Sequence, residues 1–432
     1  MDRGPDAPAR HGPSWRRHLI AVTAIALVVV AAVAAAGGPS RVPWLWQRTF
    51  VQPTDPPAPA ATRDERWRQD LAYLRENLVR LHGDAFHAVS RQRFEAAFAD
   101  ASARIPTSSD GELIAETMRL VALIGDGHTT TWSWMETLRP YPVRFGRVGG
   151  EWVVLATEPR HAALLGARLL TLGDVPVDAA ARRLAPLTSA ESAADHEARV
   201  ARLMAYPELL HARGVQAAPQ SGAITVRTAS GVQRTVALAA GARGSIGLLR
   251  ADADLILHLE PDADHAWTLL EDDLVYLRYR RCRDPVGFAA VAEPVLAALE
   301  RRPDARLIVD LRRNGGGDST VIRPLLVGLL RLGAGDRTFA LTDTGTYSSA
   351  TMNAHDLRGL GATLIGEPTG DALAGWGEVR SFVLPNSRQR IQVSTFRFRG
   401  DVRPVRPDVA VVPTIDDWLA GRDPPLDAAS RR

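Results

Sequence analysis

Leu307–Asp318 reads LIVDLRRNGGGD, and this stretch sets the fold class. Leu307, Ile308, Val309 and Leu311 form a short apolar run that ends in three glycines. A strand buried on both faces of a parallel sheet and running into a tight loop has this pattern, which makes the chain an α/β protein. Gly315, Gly316 and Gly317 let the backbone turn its N–H groups towards a ligand. A second stretch, Thr342–Ala354 (TDTGTYSSATMNA), follows another apolar strand over 338–341. It opens a helix in which Met352, Ala354, Leu357 and Leu360 recur at helical spacing. Ser349 therefore falls at a strand-to-helix junction.

A serine at such a junction is exposed above the sheet edge. It also meets the unpaired N–H groups and positive end of the helix, both of which stabilise an oxyanion. A plainer role stands beside this one, because serine is also a preferred helix N-cap and Ser348 or Ser349 suits that position.

Four motifs in order bear on the choice. Asp126-Gly127-His128-Thr129 comes first, followed by Asp310-Leu311-Arg312-Arg313-Asn314-Gly315-Gly316, then Ser349-Ala350, then Gly366-Glu367-Pro368-Thr369. In order and rough spacing the series resembles the C-terminal processing (tail-specific) serine peptidases and the related tricorn protease core, from near Trp67 to Pro413. The resemblance implies a crotonase/ClpP-like α/β core of ββα units, with the nucleophile at a helix N-terminus and an oxyanion hole of two backbone N–H groups. Carried onto this sequence, it implies Ser349 as nucleophile and Ala350 as one N–H donor. Gly316, within the triple glycine, is the other.

The departure lies at the base. All 52 Lys+Arg residues are arginine, so the chain contains no lysine. The processing peptidases carry a lysine after the GEPT-like stretch, whereas Gly370–Gly377 here reads GDALAGWG, with Asp371 its only titratable side chain. A Ser-Lys dyad is excluded. The tricorn-like branch resembles a Ser-His-acid arrangement with the histidine far upstream, which implies His128 as base. Counting back from Arg406-Pro407-Asp408, which resembles the family's closing strand, places the acid on Asp401. These roles are chemically coherent. A neutral imidazole of pKa about 6.5 accepts the serine proton near neutrality, and a carboxylate fixes its tautomer and stabilises the imidazolium. The plain alternatives are a polar turn residue for His128 and a solvated loop residue beside Gly400 for Asp401.

Other chemistries find no support. The sequence has no HExxH, no paired Cys or His at metal-ligand spacing and no phosphate-binding GxxxxGK[ST], so no metal and no cofactor is expected. His355, on the helix after Ser349, reads as a surface or packing residue. Trp132, Trp134 and Trp376 flank the motifs and either line a cleft for apolar side chains or pack into the core. With a formal net charge of +3 and interspersed acids, the pI of about 9.4 is a weak signal for nucleic acid, and none is expected as a partner. The partners implied are polypeptide substrates. Cys282 is the only cysteine, so no intrachain disulfide forms, and it reads as structural.

Arg16, Arg17 and His18 precede Leu19–Ala36, an uncharged apolar run of 18 residues. That is long for a signal peptide and just enough to span a bilayer, with the positive flank held inside. Small residues over 34–38 also suit a cleaved signal. The expected order is then a cytoplasmic N-terminus (1–18), a transmembrane anchor or signal peptide (19–36), a Pro-rich linker (37–62) and an N-terminal helical subdomain (63–140). A β-rich, partly PDZ-like segment (141–265) follows, in which 164–184 reads strand-turn-strand-helix and the residues after it read equally as simple hairpins. A catalytic core (266–414) and a polar tail (415–432) complete the chain. The expected function is that of a serine-type peptidase working through an acyl-enzyme outside the cytoplasm, either membrane-anchored or secreted. The alternatives are a non-peptide ester or amide hydrolase on the same scaffold and an inactive member that binds peptides or lipids.

Overall fold

Helix α1 (Arg63–Leu81) starts at a capping box in which Thr62 and Glu65 exchange side-chain and backbone hydrogen bonds. Its Leu71, Leu74, Leu78 and Leu81 are buried against α2 (Arg91–Arg104) and α3 (Asp110–Ala122), the latter capped in the same way by Ser109 and Glu112. Each such leucine contributes roughly 1.5–3 kcal/mol of burial. The computed structural model describes residues 51–241, 249–250, 263–271 and 273–432. The run 19–36 and the first half of the linker lie outside them, and among the described residues no helix is long and apolar enough to cross a membrane. The far end of the linker is not a free tether. The Tyr73 hydroxyl donates to Thr54 O (2.7 Å), Thr54 N to Asn77 Oδ1 (2.9 Å) and Ala60 N to Gln69 Oε1 (3.1 Å), so 54–60 runs along α1.

After α3 come a short strand β1 (Thr130–Thr131) and a single turn α4 (Trp134–Thr137). The middle segment then builds β2 (Val143–Val148), β3 (Glu151–Thr157), β4 (Arg168–Leu172) and β5 (Val175–Pro176). Three helices follow, α5 (Val177–Leu184), α6 (Ala193–Leu203) and α7 (Pro207–Ala212), before β6 (Ser221–Arg227), β7 (Gln233–Ala239) and β8 (Leu249–Arg250). The sheet order is β2-β3-β4-β6-β7, with β5 paired to β4 and β8 to β3. Residues 168–184 thus form strand, turn, strand and helix, while 221–239 is an antiparallel hairpin.

The third part holds β9 (His265–Glu271), β10 (Leu274–Tyr279), α8 (Pro285–Arg301), β11 (Arg306–Asp310), α9 (Arg323–Leu332), β12 (Thr338–Thr342), α10 (Ser349–Gly359) and β13 (Thr363–Gly366). A hairpin of β14 (Gly375–Val383) and β15 (Arg390–Phe398) follows, then β16 (Val409–Ala410), α11 (Ile415–Leu419) and α12 (Pro424–Ser430). The six-stranded sheet runs β16-β13-β12-β11-β10-β9, parallel except for β9. Successive residues of β11 face opposite sides. Leu307 and Val309 pack with Phe288, Val295, Leu325 and Leu357 of the crossover helices, and Ile308 packs with Tyr276, Phe339 and Leu341. That second face is covered by Leu426 and Ala429 of α12. Residues 415–432 are therefore not a polar tail but two helices, the second of which closes the sheet. The helical subdomain is also not self-contained, because β1 pairs with β15 and the buried Asp70 of α1 accepts from Asn386 N (2.9 Å) and Ser387 N (2.7 Å) in the β14–β15 turn.

The carboxyl ends of β11, β12 and β13 carry the loops that hold the sequence motifs, where open parallel sheets place their ligands. The loop after β11 is rooted by charge. Arg312 donates to Asp310 through Nε (2.9 Å) and Nη2 (2.7 Å) and to Asp423 through Nη1 (2.7 Å), while the Tyr276 hydroxyl donates to Asp310 (2.7 Å). Replacing Arg312 by Met leaves two largely buried carboxylates without their cation. The expected loss is about 3 kcal/mol of unfolding free energy, read as a lowered denaturation midpoint. A loss below about 1 kcal/mol would mean that the network behaves as a solvated surface pair and does not hold α12.

Candidate active site

Ser349 is the first residue of α10 and is only 7% exposed. The preceding residue, Ser348, has φ 53° and ψ −125°, a conformation that costs a non-glycine residue on the order of 1–3 kcal/mol and recurs at functional sites. The N-cap role is not realised, since the Ser348 side chain makes no capping hydrogen bond. Instead the Ser349 hydroxyl donates to Gly317 O (2.7 Å), and Ser348 N donates to Asp371 Oδ2 (2.9 Å).

The glycine loop is shaped by Asn314, which is fully buried. Its Nδ2 donates to Tyr279 O (2.8 Å), its Oδ1 accepts from Gly316 N (2.9 Å), and its carbonyl accepts from Tyr347 N (2.9 Å). Two of the glycines are obligatory. A Cβ on Gly316 (φ +91°) would stand 2.8 Å from Tyr347 O, and one on Gly317 (φ +139°) 2.2 Å from Cys282 O. The two N–H groups expected to form the oxyanion hole are both engaged inside the protein. Gly316 donates to Asn314, and Ala350 N donates to Tyr347 O (3.0 Å). The sequence does not reveal that the Asn314 side chain folds back onto the loop. Among the described residues, the N–H groups of Gly317 and Ser349 meet no acceptor. Cys282, beside Asn314 and Asn353, is buried, and burial pushes its thiol up to about 11, so it is no nucleophile near neutrality.

His128 is presented by a turn wound around the buried Asp126. Asp126 Oδ1 accepts from His128 N (3.0 Å), Thr129 N (2.6 Å) and the Ser394 hydroxyl (2.7 Å). Its Oδ2 faces His82 Nε2 at 3.0 Å. His82 Nδ1 accepts from Asp84 N (2.9 Å), so Nε2 carries the hydrogen and donates to Asp126. Burial alone raises the Asp126 pKa, but the hydrogen bonds from His82, Ser394 and Thr129 outweigh it and bring the carboxyl down to about 2.

The imidazole of His128 lies between two carboxylates, with Nδ1 3.5 Å from Glu191 Oε1 and Nε2 3.7 Å from Asp371 Oδ2. These are ionic contacts, too long or poorly aligned for hydrogen bonds, and Nδ1 has no hydrogen-bond partner. Tyr347 flanks the ring at a centroid distance of 4.9 Å. Burial lowers the imidazole pKa, yet Glu191, Asp371 and Asp126 together raise it above its ordinary value. Asp371 is pushed up to about 6 by burial, against the opposing pull of His128.

Asp401 is elsewhere. Its exposed carboxylate is taken by Arg403, at 3.0 Å from both N and Nε and 2.8 Å from Nη2, so the acid implied for His128 is not at His128. Glu191 went unnoticed because it lies on a loop of the middle segment with no motif around it, whereas Asp371 was visible as the lone titratable residue after GEPT. Ligand atoms of Asp126, His128 and Glu191 gather within 4.8 Å of one another. Both Asp126 oxygens already serve hydrogen bonds, so the cluster suits an imidazole held between acids better than a metal ion. Trp134 is a core residue and donates to Thr131 O (2.8 Å), Trp132 lies under Arg199 and Arg202, and Trp376 packs on His82.

No protein-family model and no curated protein matches this chain. Solved structures do. Mature CPAF shares 13% identity over 85% of this chain and 96% of its own, with a TM-score of 0.55. Mature CPAF complexed with lactacystin shares 12% over 85% and 97%, with a TM-score of 0.56. The two establish a likeness of fold. The photosystem II D1 C-terminal processing protease overlays less well, at a TM-score of 0.41 with 15% identity over 85% of this chain and 99% of its own.

The Asp126 cluster fixes one pH dependence. The folded carboxyl titrates near about 2 and the ordinary value is 3.8, so its stabilisation is complete above about pH 4 and fades as pH falls through the folded pKa. The sum is about 2 kcal/mol. Asp126→Asn should lower stability near neutrality and lose about 2 kcal/mol less than wild type between about pH 5 and 2. Urea unfolding at both pH values measures it, and parallel curves for the two proteins would refute the assignment.

Proposed function

We propose that this chain is a serine-type peptidase that cleaves polypeptides through an acyl-enzyme, with Ser349 as nucleophile and His128 as base. One observation carries the reading. A single oxygen, Asp371 Oδ2, contacts both the backbone N–H of Ser348 and Nε2 of His128, which brings the imidazole and the N-terminus of α10 into one pocket. The likeness of fold to CPAF supports it, as do the motifs in the sequence. The finer fold reading belongs here too, with β9–β16 as a crotonase/ClpP-like core and β4–β5–α5 as part of a PDZ-like module.

In the reaction the Ser349 hydroxyl leaves Gly317 O, gives its proton to His128 Nε2 and attacks the carbonyl carbon of the scissile amide. The C–N bond breaks as the imidazolium protonates the departing amine, leaving an ester on Ser349. Water then attacks that ester, again losing a proton to His128, and the proton returns to the Ser349 oxygen as the acid product departs. The open N–H groups of Ser349 and Gly317, at the positive end of α10, take the place of Ala350 and Gly316 as donors to the oxyanion.

A second reading has an observation of its own. Ser349 is hydrogen-bonded to Gly317 O rather than to His128, as suits an inactive member that binds peptides or lipids. Labelling with a fluorophosphonate separates the two. Wild type should label, Ser349→Ala should not, and His128→Ala should turn over peptide roughly a thousandfold more slowly. Because the base must be neutral and its pKa is raised, the rate should fall as pH drops below a value above the ordinary 6.5. An unlabelled wild type would reject the enzyme in favour of the binding protein. A labelled wild type that hydrolyses esters but no peptide would turn the reading to the non-peptide hydrolase.

The proposal extends to place. The positive flank at Arg16, Arg17 and His18 and the apolar run 19–36 put the catalytic portion outside the cytoplasm, anchored to the membrane or released by signal cleavage. Alkaline phosphatase fused after Thr62 should be active, and a fluorescent protein that matures only in the cytoplasm should stay dark there. The reverse outcome would put the catalytic portion inside.

A further inference from the structure

We infer that Glu191, supplied by the middle segment, is the carboxylate that orients His128 for its exchange of protons with Ser349. The inference deepens the serine-peptidase reading and rests on it. Glu191 Oε1 lies 3.5 Å from His128 Nδ1, the nitrogen opposite the one that faces Asp371 and α10. The same oxygen accepts from Gly127 N at 2.8 Å, so the carboxylate is fixed to the backbone of the residue before the histidine. In a serine–histidine pair, an acid on Nδ1 keeps the hydrogen there and leaves Nε2 free to take the serine proton. Glu191 is on the correct nitrogen. Asp371 is on the other, and exposed Asp401 is bound to Arg403.

The loop that carries Glu191 is fastened on both sides of the pocket. The Ser189 hydroxyl donates to Asp126 O (2.5 Å) and the Ser192 hydroxyl to Gly370 O (3.0 Å), which joins the histidine turn to the loop of Asp371. Arg199 Nη1, on the helix that Ser192 caps, donates to Gly127 O (2.9 Å), and Arg199 is itself held by Asp195. Glu191 thus arrives in a braced frame rather than on a free loop.

The charged and titratable groups facing the imidazole are Glu191 from this loop, Asp126 from its own turn, Asp371 from the loop after β13, and Tyr347 from the loop before α10. The cation beside them is Arg199, 5.3 Å from the Tyr347 ring. Removing the Glu191 charge takes away one of the influences that raise the histidine.

The test is Glu191→Gln, which can still accept from Gly127 N but carries no charge. Circular dichroism and a thermal melt close to wild type establish that the frame has held. Peptide turnover should fall roughly a hundredfold in kcat with KM little changed, because the lost group acts through the histidine and not on substrate. The acid limb of the rate should move to lower pH by about one pH unit. Glu191→Asp should recover part of kcat and move the limb back. The imidazole of His128, followed by NMR in a Ser349→Ala background with and without Glu191→Gln, should show the same downward displacement without any reference to turnover. Wild-type kcat and an unmoved acid limb in Glu191→Gln would overturn the inference while leaving Ser349 as nucleophile. An inert wild type would instead reject the peptidase reading, and an imidazole titration unchanged by the substitution would then reject the Glu191 contact as well.

Discussion

The buried carboxylate of Asp126 is the constraint on which the rest of the candidate site depends. It accepts from the end of α1 through His82, from the backbone of its own turn, and from Ser394 on β15, so three parts of the chain far apart in sequence converge on one charge. An ionised group at this depth is stable only when its acceptor sites are filled, and four donors fill them. With the turn fixed, His128 has little freedom in where it stands. The helices before it, whose cores are ordinary leucine packing, serve to hold that turn against the β14–β15 hairpin.

On the opposite side of the pocket the backbone, rather than a side chain, is under constraint. Ser348 and the adjoining Gly316 and Gly317 occupy left-handed conformations next to one another in space. Such a conformation at Ser348 persists only when its surroundings over-determine it. Asn314 provides three of the hydrogen bonds that do so, and Asp371 a fourth. The Arg312–Asp310–Asp423 network supports the loop from beneath. The nucleophile is thus placed by polar groups that would be poor choices for stability alone.

Much of this was legible in the sequence, and where it was not, the reason is physical. The parallel strands at 307–311 and 338–341 announce themselves by unbroken aliphatic runs, and Ser349 by its position after one of them. The helices of α1–α3 show in their apolar spacing. Residues 415–432 gave no such signal, since α12 buries only a few small side chains and is held as much by Asp423 as by apolar contact. Asp401 was placed by counting along the chain, yet a carboxylate two residues before an arginine folds back onto it locally. Glu191 was beyond reach for the opposite reason, since it approaches His128 across 63 residues of chain and only the closure of the middle segment against the histidine turn brings the two together. Asn314 was recognised as part of a motif, but the direction of its side chain, and hence the fate of the Gly316 N–H, depends on Tyr279 and Tyr347.

The pairing of β1 with β15 has a consequence for how such a protein is made. The turn bearing His128 leads directly into β1, whose only neighbour in its sheet is a strand more than 250 residues later, and Ser394 of that strand is one of the donors to Asp126. A chain synthesised or exported N-terminus first carries the serine and the histidine clear long before the strand that seats the histidine has emerged. The half-made molecule is therefore chemically silent, and reactivity arrives only when nearly the entire length is present and folded.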